Sequence, residues 1–236
     1  MRPKLFLLVL TIFIMGNAYS QEQDSQVSDS QEADSVYWQF SFDGGYSYRT
    51  GEIKEVYPEV VSYLNGLRSG YLISGKGICF INKFVGIGVS VSVSKYYNEA
   101  DKLNAGREII KNVSDDITIG YVAPSVEFRA YASDNGRHVL PFDISIGALW
   151  YKDDAQFNSK SVVLSGTTIG FGVGAGYDFS VTKNIAFGIK TSFIFGYLSS
   201  YYTDINNNGV KERNKLDDDK ESLSHFKLSA GIRFNF

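Results

Sequence analysis

The sequence predicts an all-β chain: an eight-stranded antiparallel up-and-down β-barrel that crosses a membrane. Three observations carry that expectation. Long segments alternate apolar and polar residues, the links between them alternate short and long, and the chain begins with a segment built for export.

Taken in order, residues 1–20 come first. Arg2 and Lys4 precede an apolar run from Leu5 to Met15, and small residues follow at Ala18 and Ser20. This is the pattern of a secretory signal peptide cut after Ser20, and the apolar run is too short to span a bilayer. Residues 21–35, "QEQDSQVSDSQEADS", carry five acids and no base, with Val27 and Ala33 the apolar residues. Such a stretch buries too little surface to offset chain entropy and reads as a disordered acidic tether on the periplasmic side.

Residues 36–236 form the barrel domain. The segment "VYWQFSFDGGYSYR" sets Trp38, Phe40, Phe42, Tyr46 and Tyr48 against Gln39, Ser41, Asp43, Gly45 and Ser47. In "FVGIGVSVSVSKYY" five aliphatic residues from Val85 to Val93 oppose Gly86, Gly88, Ser90, Ser92 and Ser94. The same period of two runs through Phe142–Tyr151, Phe187–Tyr197 and "FKLSAGIRFNF" at the end. Three further segments, residues 70–81, 117–131 and 163–179, follow it less cleanly. Alternate side chains on a strand point to opposite faces, so each segment shows one face to an oily medium and the other to a polar one. Eight such strands are each long enough to cross a bilayer at a tilt.

The links sort by side. Those near Asn82–Lys83, Ser133–His138 and Val181–Asn184 are short. Those at about 50–69, 98–116, 152–161 and 199–222 are long and polar. Short periplasmic turns, long extracellular loops and an even strand number are the mark of an outer-membrane barrel. A soluble eight-stranded ligand-binding barrel also alternates, but its apolar face points inward. Its water-facing surface would then be the Gly- and Ser-rich face, and Trp, Tyr and Phe would not gather near strand ends as an interfacial girdle does.

These segments resemble the small outer-membrane β-barrel family of Gram-negative bacteria, the outer membrane protein beta-barrel domain group, over essentially all of residues 36–236. The most telling stretch is "APSVEFRAYASDNGRHVLPFDISIGALWY". The ending "AGIRFNF" resembles the signal such barrels present to the barrel assembly machinery, with Ile232, Phe234 and Phe236 at alternate positions. The resemblance implies residence among outer-membrane lipid and lipopolysaccharide and carries no catalytic residues; a monomer that meets an unknown extracellular partner is the expectation beside it.

Eight strands leave an interior that side chains fill. The inward set holds Asp43, Glu127, Arg129, Asp143, Lys190, Lys227 and Arg233, with Lys76 as an additional candidate. Buried charge must be paired, so an ion-pair network plugging the lumen is expected. The expected role is structural or surface-interactive through the outer loops, with a small-solute channel second and a lipid-modifying enzyme third. His225, Ser224 and Glu221 are neighbours in sequence, but Ser224 and His225 diverge if they lie on a strand. The chain is therefore expected not to be an enzyme, and nothing in it requires a cofactor.

Other patterns weigh less. "GFGVGAG" at 170–176 lacks the strand-to-helix context of a phosphate loop; its glycines fall on the inward parity, where they fit against lumen residues such as Arg129 or Lys190. Asp204, Asn206 and Asn208 match the start of a calcium loop, yet Lys215 stands where a bidentate Glu belongs, which leaves an Asn/Gly turn as the plainer reading. A net charge of −3 gives no basic surface for nucleic acid, and the single cysteine, Cys79, excludes an intramolecular disulfide. Cys79 reads as buried and inert. "YPEVVSYLNGLRSG" is expected to form a short helix that lays Val60, Val61 and Leu64 on the rim.

Overall fold

The computed structural model describes residues 36–53, 57–106, 108–133, 135–158, 160–205, 211–216 and 221–236. The signal peptide and the acidic tether read from the sequence lie outside the described residues.

Eight strands close a ring: β1 (Tyr37–Arg49), β2 (Ser69–Phe80), β3 (Val85–Asn104), β4 (Ile109–Tyr131), β5 (His138–Phe157), β6 (Lys160–Ser180), β7 (Ile185–Leu198) and β11 (His225–Asn235). Each pairs antiparallel with its neighbour in sequence, and β11 returns to β1 with Gln39 opposite Asn235 and Arg49 opposite His225. The seam is fastened at its last residue. The Phe236 N–H donates to the Trp38 carbonyl at 2.8 Å, and the Trp38 N–H returns a bond at 3.0 Å.

The short turns are set by local chemistry. Asn82 Oδ1 accepts from the N–H groups of Phe84 and Val85, both at 2.9 Å. Thr182 Oγ1 does the same for Asn184 and Ile185. These side-chain-to-backbone bonds mimic a backbone turn and reverse the chain in about four residues. In the third turn Gly136 takes φ +65°, a left-handed conformation that glycine adopts without a Cβ penalty.

The long connections are themselves structured, so the picture of strands ending at open loops changes. The segments 98–116 and 152–161 are mostly strand, because β3 to β6 run on past the membrane as two-stranded ribbons. Their backbone groups need partners in water as in lipid, and the hairpins supply them. Between β7 and β11, β8 (Ser200–Ile205) pairs with the outer part of β6, β9 (Lys211–Lys215) pairs with β8, and β10 (Glu221–Ser222) pairs with the end of β7.

The short helix α1 (Pro58–Gly66) lies where the sequence predicts, opened by a proline in its first turn. Its contact residues differ from the expectation. Tyr63 and Leu67 are buried and Leu64 packs beside them, whereas Val60 and Val61 stay half-exposed. The reason is a polar anchor: the Tyr63 hydroxyl donates to Asp115 Oδ2 at 2.5 Å, and Asn98 Nδ2 donates to the Tyr63 carbonyl at 2.7 Å.

Candidate functional site: the lumen and the outer mouth

Burial follows the period of two and gives it a direction. Outward residues such as Ile73 and Ile169 are 67% and 74% exposed, while inward Glu127 and Arg233 are 2% and 3% exposed. The apolar face is therefore the outside, opposite to a soluble ligand-binding barrel. Tyr46, Tyr71, Tyr97 and Tyr197 mark the outer rim of this band, and Trp38, Phe84, Tyr131, Phe179 and Phe236 the inner rim. Trp150 belongs to the outer rim and folds flat on Gly120 of the neighbouring strand, where any Cβ would meet its indole. Cys79 does not fit the expectation of a buried residue. It is half-buried on the outward face of β2, opposite Trp38 on β1.

The lumen has two zones. The inner zone is ionic. The Arg129 guanidinium lies 3.5 Å over the Phe80 ring centroid and donates to Glu127 at 3.0 Å, Tyr37 at 2.7 Å and Gln39 at 2.5 Å. Lys76 bridges Glu127 Oε2 and Asp143 Oδ1, each at 2.8 Å, and Lys190 pairs with the same Asp143 oxygen. Arg233 holds Asp43 at 2.5 Å and lies 2.9 Å from Asp178. Lys227 stands apart, donating to the Ser92 hydroxyl at 3.2 Å. All the lumen residues named from the sequence except Lys227 thus enter ion pairs. Lys76 proves central, and Asp178, which the sequence reading passed over, is a further member. Asp178 occupies the inward parity of β6 between Tyr177 and Phe179, so the alternation itself carried the signal.

The outer zone is apolar, which the sequence reading missed. Ile119, Leu149, Ile194, Leu198, Leu223, Leu67 and Leu103 pack with Tyr63, Tyr96 and Tyr121 across the mouth. The signal was present where both parities are apolar at once, as at Leu149–Trp150 and Phe193–Ile194–Phe195. Between the zones lies a cavity of about 40 Å³, lined by lysines, aspartates and serine hydroxyls together with Leu72, Val91, Tyr121 and Ile194.

Within the outer part of the apolar cluster sits an acidic pair, Asp153 buried and Asp115 half-buried. Asp153 is inward on β5, while its outward neighbours Lys152 and Asp154 are exposed and paired at 2.6 Å, so this level stands clear of the apolar band. Tyr151 donates to Asp153 Oδ2 at 3.0 Å, and Asp153 Oδ1 is buried without a hydrogen bond. Burial, with the nearby Asp115 carboxylate second, raises the Asp153 pKa to about 7. Burial raises Asp115 too, and burial with the Asp115 contact pushes the Tyr63 phenol upward. Arg49 faces this group from β1 and pairs with Glu221 at 2.9 Å.

The remaining candidates are placed apart. The Ser224 hydroxyl bonds the Gly196 backbone and His225 Nδ1 bonds the Leu223 carbonyl, so each is engaged with main chain. His138 is hydrogen-bonded to the Tyr177 hydroxyl at 2.6 Å at the opposite end of the barrel. Asp204 is buried in β8; Asn206 and Asn208 lie outside the described residues. Ile232 and Phe234 face outward on β11, and Phe236 is 73% exposed at the seam.

No family model matches the chain, and no curated protein matches it. Solved structures do. A major outer membrane protein from Thermus thermophilus superposes with a TM-score of 0.55 at 10% identity, covering 84% of this chain and 99% of that one. The outer membrane protein OprG from Pseudomonas aeruginosa gives 0.55 at 9% identity, covering 88% and 99%. With the apolar belt and the closed eight-strand ring, these likenesses establish that the chain has the fold of a small bacterial outer-membrane β-barrel.

Proposed function

We propose that the chain is an integral outer-membrane protein with a closed lumen, working through the surface that it presents outside the cell. In this reading residues 1–20 are a cleaved export signal and the assembly machinery recognises Ile232, Phe234 and Phe236 at the C-terminus. The barrel then stands as a monomer among lipid and lipopolysaccharide. The extracellular face consists of α1, the extended β3–β4 and β5–β6 hairpins and the β8–β9 hairpin, and an unidentified partner meets it there.

One observation carries the reading: an apolar plug stacked on a hydrogen-bonded ionic plug, with about 40 Å³ of free space between them. That volume holds on the order of one to three waters, far from the continuous water column a pore needs. The ion pairs also resist opening, since removing one partner of a buried pair costs about 3–5 kcal/mol. Engagement of Ser224 and His225 with the backbone speaks for a non-catalytic protein.

Planar-bilayer recording of the purified protein tests this. The proposal predicts no discrete conductance steps at any protein-to-lipid ratio that gives inserted barrels. Reproducible single-channel openings of constant size would overturn it in favour of a small-solute channel.

A further inference from the structure

The central cavity carries an unbalanced charge. Among the described residues, the lumen cations are Lys76, Arg129, Lys190, Lys227 and Arg233, and the carboxylates are Asp43, Glu127, Asp143 and Asp178. Five positive groups thus meet four negative ones. The carboxylates are already shared: Asp143 serves Lys76 and Lys190, Glu127 serves Lys76 and Arg129, and Arg233 takes both Asp43 and Asp178. Lys227 is left over.

The Lys227 residue is 8% exposed and lines the cavity, and its ammonium donates one hydrogen bond, to Ser92 Oγ. An ammonium has three N–H donors, so two remain for whatever occupies the cavity. Ser92 accepts from Lys227 and keeps its own O–H to donate, and Ser92 is itself 5% exposed. A buried charge without a counter-charge costs several kcal/mol. Asp43 and Asp143 line the same cavity and act on Lys227, but Arg233, Lys76 and Lys190 already engage them, so a further small group of charge minus one completes the balance.

We propose that the cavity is a binding site for a small monovalent anion of the halide class, held by the Lys227 ammonium and the Ser92 hydroxyl. The surplus of one positive charge selects a monovalent ion over a divalent one. The ion is an internal counter-ion that completes the ionic zone, and the apolar residues above it keep it in place. Nothing in this depends on what the extracellular face binds.

The test uses the full chain, refolded in detergent with sodium bromide and crystallised, with anomalous diffraction at the bromine edge. The expected result is a bromide peak in the cavity within hydrogen-bond distance of Lys227 Nζ. No peak there, or bromide found at the protein surface alone, overturns the proposal. In parallel, chloride is exchanged for gluconate at constant ionic strength and thermal unfolding is followed. Loss of an ion held at roughly ten times its Kd lowers the midpoint by about 3–6 °C. Lys227→Met should abolish that difference, and an undiminished chloride effect in this variant contradicts the site. Should Lys227→Met fail to fold, Ser92→Ala replaces it: this variant should need a higher chloride concentration for the same midpoint, and an unchanged requirement overturns the assignment.

Discussion

A Cβ on Gly174 would lie 2.8 Å from Lys190 Cε and 3.0 Å from both Asp143 oxygens, and one on Gly172 would lie 2.6 Å from Ser145 Oγ. These glycines of the "GFGVGAG" run are small because the ionic zone passes directly over them. The sequence showed their parity and so their inward aim. Of the two neighbours expected from it, Lys190 does face Gly174, whereas Arg129 is not among the nearest atoms of these glycines; Ser145 and Asp143 stand there instead, placed by a register between distant strands that alternation does not convey. Gly172→Leu or Gly174→Leu is expected to abolish the folded, heat-modifiable form on unboiled gels. Lys160→Gln, at an exposed position beyond the membrane, is expected to leave it unchanged. Asp153 makes a second prediction at this scale. Its pKa rises on folding, so the folded state holds the proton more tightly than the unfolded chain. The ionisation cost is absent below the unfolded pKa, about 4, and complete above the folded value of about 7. Stability therefore falls as pH rises between those values. The wild-type thermal midpoint should be lower at about pH 8 than at about pH 5.5, and Asp153→Asn should raise it at the higher pH and flatten the profile.

At the scale of elements, β11 shows what alternation can and cannot convey. Its period of two made Phe226 to Phe236 legible as a strand, and the inward placement of Lys227 and Arg233 followed from that alone. The exposed Phe236 ring touches little beyond an edge-on contact with Phe40, 6.0 Å between centroids. A packing role would make Phe236→Ala destabilising, whereas a role in assembly would not. The expected outcome is near-normal stability of the refolded variant together with a several-fold loss of folded barrel in cells. Equal yields of wild type and variant in the outer-membrane fraction would argue against the assembly role. Other elements were less legible. The upper halves of β3 to β6 carry charges on both faces, as at Lys152–Asp153–Asp154, so they read as loops. In water both faces of a ribbon can be polar, and hydrogen bonding across the hairpin maintains the strand without an apolar signal. α1 was legible from its proline and its apolar spacing, but its seat was not, since it is decided by the Tyr63 and Asp115 side chains coming together from distant parts of the chain.

At the scale of the whole molecule, the faces have one direction: apolar toward lipid, charged toward the axis. Each consequence depends on it, from the ion pairs around Lys76 to the glycines of β6 and the aromatic rims. The chain offers a native probe of that direction, because its two tryptophans, Trp38 and Trp150, lie on the outward face, near the inner and outer rims. The most direct measurement is tryptophan fluorescence in vesicles whose acyl chains carry bromine, with Trp38→Phe and Trp150→Phe to separate the two signals. Strong quenching of both indoles by bromines near the headgroup end of the chains, and weak quenching by aqueous iodide, is the result expected. Emission untouched by brominated lipid and readily quenched by iodide would place the apolar faces away from the bilayer and contradict the account.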